Sequence, residues 1–214
     1  MTTPQTSPPT TPSTTPPTTP STTASTTGAL VSASFASPVG ELVLVADDDA
    51  LVAVLWPDDD VRRVPGASGA VPSVDAADHP VLAMAARQLD EYFDGRRAMF
   101  DVPLRPAGTE FQRAAWDVLR QIPYGTTMTY GEQARALGDM NKARAVGAAN
   151  GRNPLSIVVP CHRVTGADGT LTGFAGGLDA KRWLLEHERR ISAALADREA
   201  AVATAESGTS AVAC

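Results

Sequence analysis

With 214 residues and a net charge of -6, the chain is long enough for one large or two small domains and too acidic overall for a generic polyanion binder. Its two cysteines, Cys161 and Cys214, exclude a disulfide framework and a thiolate zinc site. The charge is uneven: Leu30 to Arg105 carries 6 basic and 13 acidic residues, whereas Pro106 to Ser192 carries 11 basic and 8 acidic, so any phosphate-binding surface is expected in the second half.

Residues 1–28 are almost entirely Thr, Pro and Ser, with no charged side chain and nothing to fill a core; they read as a disordered extension. The start of the chain has neither a basic segment nor an apolar core, so no signal peptide is expected. No apolar run approaches transmembrane length. A reducing intracellular compartment fits the cysteine usage.

Leu30–Phe35, Leu42–Ala46 and Leu51–Trp56 read as three strands of an antiparallel meander, parted by turns at Pro38-Val39-Gly40 and Asp47–Asp49. Asp58 to Asp75 is loop-like. Pro80–Phe93 reads as a helix with proline in its first turn and the apolar stripe Leu82, Ala85, Ala86, Leu89, Phe93. Met99–Leu104 reads as a short strand. His79 reads as a surface residue. No motif with a mechanism stands in this acidic half.

Arg105 to Gly108 looks like a linker. Thr109 with Gln112 forms a capping box that opens a helix whose stripe is Phe111, Ala115, Val118, Leu119 and Ile122; Pro123-Tyr124-Gly125 stops it. Thr129 with Glu132 opens a second, Tyr130–Ala136, ending at Gly138. A third follows over about Lys142–Ala149. Two short helices joined by a glycine turn form a helix-turn-helix pattern. The second of them, with Ala143, Arg144, Ala145, Gly147 and Ala148, has small residues that permit close approach to a nucleic acid and few side chains that read base edges. That pattern points to sequence-indifferent contact through the minor groove. An alanine-rich packing helix reads equally well.

The stretch Leu155–Val159 is apolar and β-branched and reads as a buried strand. Pro160 ends it, and Cys161, His162 and Arg163 follow. A thiol beside a base and a cation is how a reactive thiolate is made; the alternative is a small buried hydrophobe. Gly166–Gly169 is a turn and Gly173–Gly177 a flexible loop with one aromatic, Phe174. The last helix, Leu178–Arg189, has the stripe Ala180, Trp183, Leu184, which continues at helical spacing to His187 and Glu188. A carboxylate near a buried face needs a partner, and His162 is one candidate. From residue 193 onward the chain reads as a frayed, disordered tail.

Asn153-Pro154, then Pro160-Cys161-His162-Arg163, then Gly176-Gly177-Leu178 and Trp183-Leu184-Leu185-Glu186-His187-Glu188 together resemble the O6-alkylguanine-DNA alkyltransferase family over about Leu30 to Arg190. The resemblance implies an α/β plus α fold: a ribonuclease H-like domain over 29–105 and a winged-helix (helix-turn-helix) domain over 106–192. It implies single-turnover repair, in which the alkyl group of O6-alkylguanine, and of O4-alkylthymine, moves irreversibly from DNA to Cys161 after the nucleotide is flipped out.

In that scheme His162 takes the thiol proton through a water and Glu188 orients His162. Tyr130 helps rotate the nucleotide and can donate a proton. Arg144 is the finger that fills the vacated stack, with Ala143 and Gly147 beside it at the DNA. Asn153 is the hinge between the helix pair and the active-site segment, and Pro160, Val164 and Phe174 line the alkyl pocket. The expected partner is double-stranded DNA, bound by a monomer without sequence preference. No metal and no cofactor is expected. The alternatives are a non-enzymatic winged-helix protein that binds lesions, with Cys161 structural, and a cysteine hydrolase, which would not need Arg144.

Overall fold

The computed structural model describes residues 29–59, 64 and 71–209, with 199–209 as backbone only. The expected disorder of residues 1–28 and any role of Cys214 lie outside the described residues. The first half is a three-stranded antiparallel sheet in the order β1 (Val31–Ser37), β2 (Gly40–Ala46), β3 (Leu51–Leu55), followed by α1 (Pro80–Phe93). Register is fixed by the tight turn that pairs Ser37 with Gly40, where φ is +114° and only glycine is unstrained. Alternation along β2 sends Leu42, Leu44 and Ala46 into the main core with Leu82, Ala85, Leu89 and Tyr92 of α1. Val45, Ala53, Leu55 and Val64 form a smaller cluster. The buried positions of α1 differ from the expected stripe: Gln88 and Tyr92 are buried, while Ala86 and Phe93 are half-buried. The strand expected over Met99–Leu104 is reduced to a single bridge between Leu104 and Leu51.

The second half is helical: α2 (Glu110–Arg120), β4 (Met128–Thr129), α3 (Tyr130–Ala136), α4 (Ala143–Asn150), β5 (Val164–Thr165) and α5 (Gly177–Thr209). Both capping boxes form, Thr109 with Gln112 and Thr129 with Glu132. The turn between α3 and α4 passes through Gly138 at φ +87°. Three buried polar ties lock these helices. Gln133 Nε2 donates to Ala115 O (3.0 Å), Asn150 Nδ2 donates to Gln133 Oε1 (2.8 Å), and Trp116 Nε1 donates to Ala149 O (2.9 Å). A buried network whose members are all satisfied fixes one relative placement of its elements.

Two expectations are corrected. The last helix does not stop at Arg189 and fray; α5 runs to Thr209, because Ala, Glu and Arg dominate residues 193–206 and no proline or glycine interrupts them before Gly208. And Leu155–Val159 is not a strand. Only Leu155 makes a bridge, to Val54 of β3. The rest closes on itself in tight turns, with Val158 N donating to Ser156 O, Val159 N to Leu155 O and Cys161 N to Val159 O, each at 2.8 Å. The β-branched composition reflects burial here, since Leu155, Ile157, Val158 and Val159 are all in the core.

Candidate active site

Cys161, His162 and Arg163 form one 3-10 turn just after this buried segment. Ile157 sits at φ +70°, a conformation that strains a β-branched residue by about 1–3 kcal/mol. Asn153 holds the segment in that shape. Its Nδ2 donates to Val159 O (2.8 Å) and its Oδ1 accepts from Leu155 N (3.0 Å). The buried side chain thus replaces the neighbouring strand that the backbone lacks.

Glu188 of α5, fully buried, is the centre of the site. Its Oε1 meets His162 Nε2 (2.8 Å), Tyr92 Oη (2.8 Å) and an Arg163 terminal nitrogen (3.0 Å). Its Oε2 accepts from Arg163 Nε (2.9 Å) and Gly125 N (3.1 Å). Burial alone would raise this carboxyl, but the hydrogen bonds and charges of His162 and Arg163 outweigh it and hold it at about 2. Glu188 is therefore a carboxylate. Burial also holds the His162 imidazole below its ordinary value, outweighing the opposite pull of Glu188. A neutral ring against a carboxylate must donate through Nε2–H, which leaves the Nδ1 lone pair as the base. Nδ1 is buried and has no hydrogen-bond partner among the described residues.

Cys161 is half-buried and in no disulfide among the described residues. Arg163, expected as the cation beside the thiol, is instead committed to Glu188 and to Ile122 O (2.7 Å), with its guanidinium over the Tyr124 ring at 5.5 Å. The cation that interacts electrostatically with Cys161 is Lys181. Burial lowers its pKa while the charge of Cys161 acts to raise it. Lys181 Nζ donates to Val164 O (2.6 Å) and Thr172 O (2.8 Å), tying both ends of the 164–172 segment to α5.

Around this centre, Tyr130 opens α3 half-buried and its Oη accepts from Thr172 Oγ1 (3.3 Å). Pro160 and Val164 are buried beside Cys161. The Phe174 ring lies 6.3 Å from His162, edge to face. On α4, Arg144 is exposed, Ala143 is half-buried, and Gly147 lies where a β-carbon would come within 3.6 Å of the Tyr130 ring. Thus His162 joins Glu188 to Phe174, with Pro160, Cys161 and Val164 flanking it along the chain; Tyr130 is tied to Thr172, and Arg144 is exposed on α4. Among the described residues, no group of three or more His, Cys, Asp or Glu side chains could hold a metal ion.

Sequence reasoning missed Tyr92, Lys181 and Trp56. Two carried a signal: Tyr92 follows Leu82, Ala85 and Leu89 at helical spacing, and Lys181 precedes Leu184 and Glu188 in the same way. Trp56, at the end of β3, packs its ring on Phe174.

Comparison with known proteins shows the family. The model of the 6-O-methylguanine DNA methyltransferase ribonuclease-like domain matches residues 30–106, and that of the DNA binding domain of the same family matches residues 110–190. A methylated-DNA--protein-cysteine methyltransferase of Methanosarcina acetivorans is 46% identical over 156 residues, 73% of this chain and 96% of its own length. One from Mycolicibacterium paratuberculosis is 47% identical over 158 residues, 74% of this chain and 92% of its own. The Mycobacterium tuberculosis OGT, solved in complex with DNA, superposes with a TM-score of 0.68 at 40% identity, covering 75% of this chain and 94% of that one. Two family models that together span most of the chain, and relatives this similar over nearly their full length, place it: the chain belongs to the 6-O-methylguanine DNA methyltransferase family.

Proposed function

We propose that the protein repairs DNA by moving the alkyl group of O6-alkylguanine, and of O4-alkylthymine, onto Cys161, once per molecule. The single observation that carries this reading is the Glu188–His162 pair, with His162 Nδ1 buried and without a partner among the described residues, in the residue that follows Cys161. A free thiol is only a few per cent ionised at neutrality, and a neutral imidazole adjacent to it relieves that limit.

The proton of Cys161 passes through a water to Nδ1, and Glu188 stabilises the imidazolium that forms. The thiolate sulfur attacks the alkyl carbon; the S–C bond forms as the C–O6 bond breaks. The departing guanine is a poor anion, and a proton donated by the Tyr130 hydroxyl returns it to the neutral base; the tyrosinate regains that proton from the His162 imidazolium through water, so both side chains end as they began. Net, the thiol proton is exchanged for the alkyl group. The product thioether is a stable bond, so one turnover follows.

The lesion lies inside the duplex, so its nucleotide must be flipped out. The exposed small-residue face of α4 supports close approach to the minor groove without sequence preference, with Arg144 filling the gap. Asn153 serves as the hinge between this helix pair and the active-site segment. In this reading 29–105 is a ribonuclease H-like unit, and 106–192 a winged-helix unit that acts as a monomer inside the cell. No described helix is long and apolar enough to cross a membrane.

The test is a comparison of wild type with Cys161→Ser on a duplex holding one O6-methylguanine. Wild type should remove methyl from the DNA up to one equivalent and stop. Cys161→Ser should bind with similar affinity and remove none. Binding by both with removal by neither would mean that the protein only recognises the lesion.

A further inference from the structure

We infer that Trp56, from the N-terminal sheet, positions Phe174 and thereby sets how large an alkyl group the site accepts; this rests on the reading of Cys161 as acceptor and Phe174 as pocket wall. Phe174 stands in a glycine-rich segment whose backbone is tied at Thr172 O by Lys181 and at Phe174 O by Gly177 N (3.0 Å). Gly173 precedes it at φ +29°, and Gly176 and Gly177 follow, the latter at φ +82°. Such a backbone is permissive, so the position of Phe174 depends on what its ring touches. It touches Trp56, with ring centroids 5.5 Å apart at 73°, the favoured edge-to-face arrangement. On its other side it meets His162.

Trp56 is itself fixed. It is 5% exposed, its backbone N–H donates to Asp59 Oδ2 (3.1 Å), and its carbonyl accepts from Asp59 N (2.9 Å). A β-carbon added at Gly176 would come within 2.4 Å of the indole ring, so this glycine is required by Trp56 and not by its own backbone angles. The indole Nε1 is buried without a hydrogen-bond partner among the described residues. A tryptophan normally finds one, so the ring is placed for contact with Phe174 and Gly176. The same strand reaches the other side of the site, where Val54 N donates to Pro154 O (2.8 Å) and Val54 bridges Leu155. One N-terminal strand thus holds the segments both before and after the nucleophile.

The experiment measures single-turnover rates on the same duplex holding one O6-methylguanine or one O6-benzylguanine for wild type, Trp56→Phe and Trp56→Leu, with Tm recorded for each. Losing the support of Phe174 misplaces the wall for the small group and makes room for the large one. The benzyl-to-methyl rate ratio should rise about tenfold in Trp56→Leu and less in Trp56→Phe, which keeps a ring edge. Gly176→Ala should raise the ratio too, and combining it with Trp56→Leu should add little, because the smaller side chain vacates the space. A merely structural tryptophan would lower Tm and scale both rates together; an unchanged ratio in a folded Trp56→Leu protein overturns the inference. If Trp56→Leu does not fold, Trp56→Phe decides in the same way. Wild-type protein that transfers neither group overturns the alkyl-transfer reading, and this inference with it.

Discussion

The acidic first half and the basic second half of the chain contribute to the active site in opposite ways. The second half supplies the groups proposed to react, Cys161 and His162, and all the residues whose type and spacing announce chemistry. The first half supplies none of these, yet Tyr92 donates to the same Glu188 oxygen that holds His162, His187 packs its Nε2 on Tyr92 O (3.0 Å), and Trp56 carries Phe174. Chemistry is thus concentrated in one half and its geometry is shared between both. A domain without a motif still sets the shape of a site when its buried polar and aromatic side chains end there.

Removing the shared carboxylate tests that division most severely. Glu188→Gln should lower stability by about 3–5 kcal/mol, because Arg163 is left buried without its counter-charge, and should slow transfer through the misplaced His162. Denaturant unfolding and single-turnover transfer measure the two effects. If stability is unchanged, Glu188 is not the keystone common to the two halves. The first half's own share comes next. Tyr92→Phe deletes one hydrogen bond to the carboxylate and should cost about 1.5–3 kcal/mol, with a smaller loss of transfer rate, since His162, Arg163 and Gly125 still hold Glu188. A transfer rate that falls as far as in Glu188→Gln would put Tyr92 in the chemistry itself.

The pH dependence sharpens the same point. The folded His162 is held below its ordinary value of ~6.5, so the unfolded chain binds its proton first as pH falls. Its stabilising contribution is complete above ~6.5 and is lost as pH falls through the lower folded value. Transfer, which needs the neutral ring, should hold steady down to ~6.5 and decline only below it. Glu188, at about 2, stays ionised throughout this range. A transfer rate already falling between pH 8 and 7 would mean that His162 is not held neutral by burial.

The smallest effect is expected on the outer face of the second half. Arg144→Ala should slow transfer from duplex DNA more than transfer from free O6-benzylguanine, which needs no flipping, and less so where the lesion faces a weakly paired base. If duplex affinity alone falls and its salt slope flattens by about one counterion, Arg144 is a phosphate clamp.

Much of this was legible in the sequence because local rules govern it. The strands, α1, both capping boxes and the Tyr130–Ala136 helix follow from alternation, helical spacing and end chemistry. Glu188 was legible as a buried carboxylate because it continues the Ala180–Leu184 stripe. Composition failed where it reports burial and not conformation. Leu155–Val159 looks like a strand, but Asn153 and two flanking prolines fold it into turns. Arg163, two residues after Cys161 in the chain, turns away to Glu188, while Lys181, twenty residues after the cysteine, interacts with it electrostatically. Helical spacing marked Tyr92 as buried but, as for Trp56, not as a site residue, because their partners lie in the other half and spacing along one helix or strand says nothing of what crosses from elsewhere.

The central claim is that Cys161, activated by the Glu188-held His162, accepts the alkyl group. Peptide mass mapping after incubation with an O6-methylguanine duplex tests it most directly. The account predicts one added methyl, confined to the peptide containing Cys161. A methyl on Cys214, or on neither cysteine while the DNA is demethylated, would contradict it.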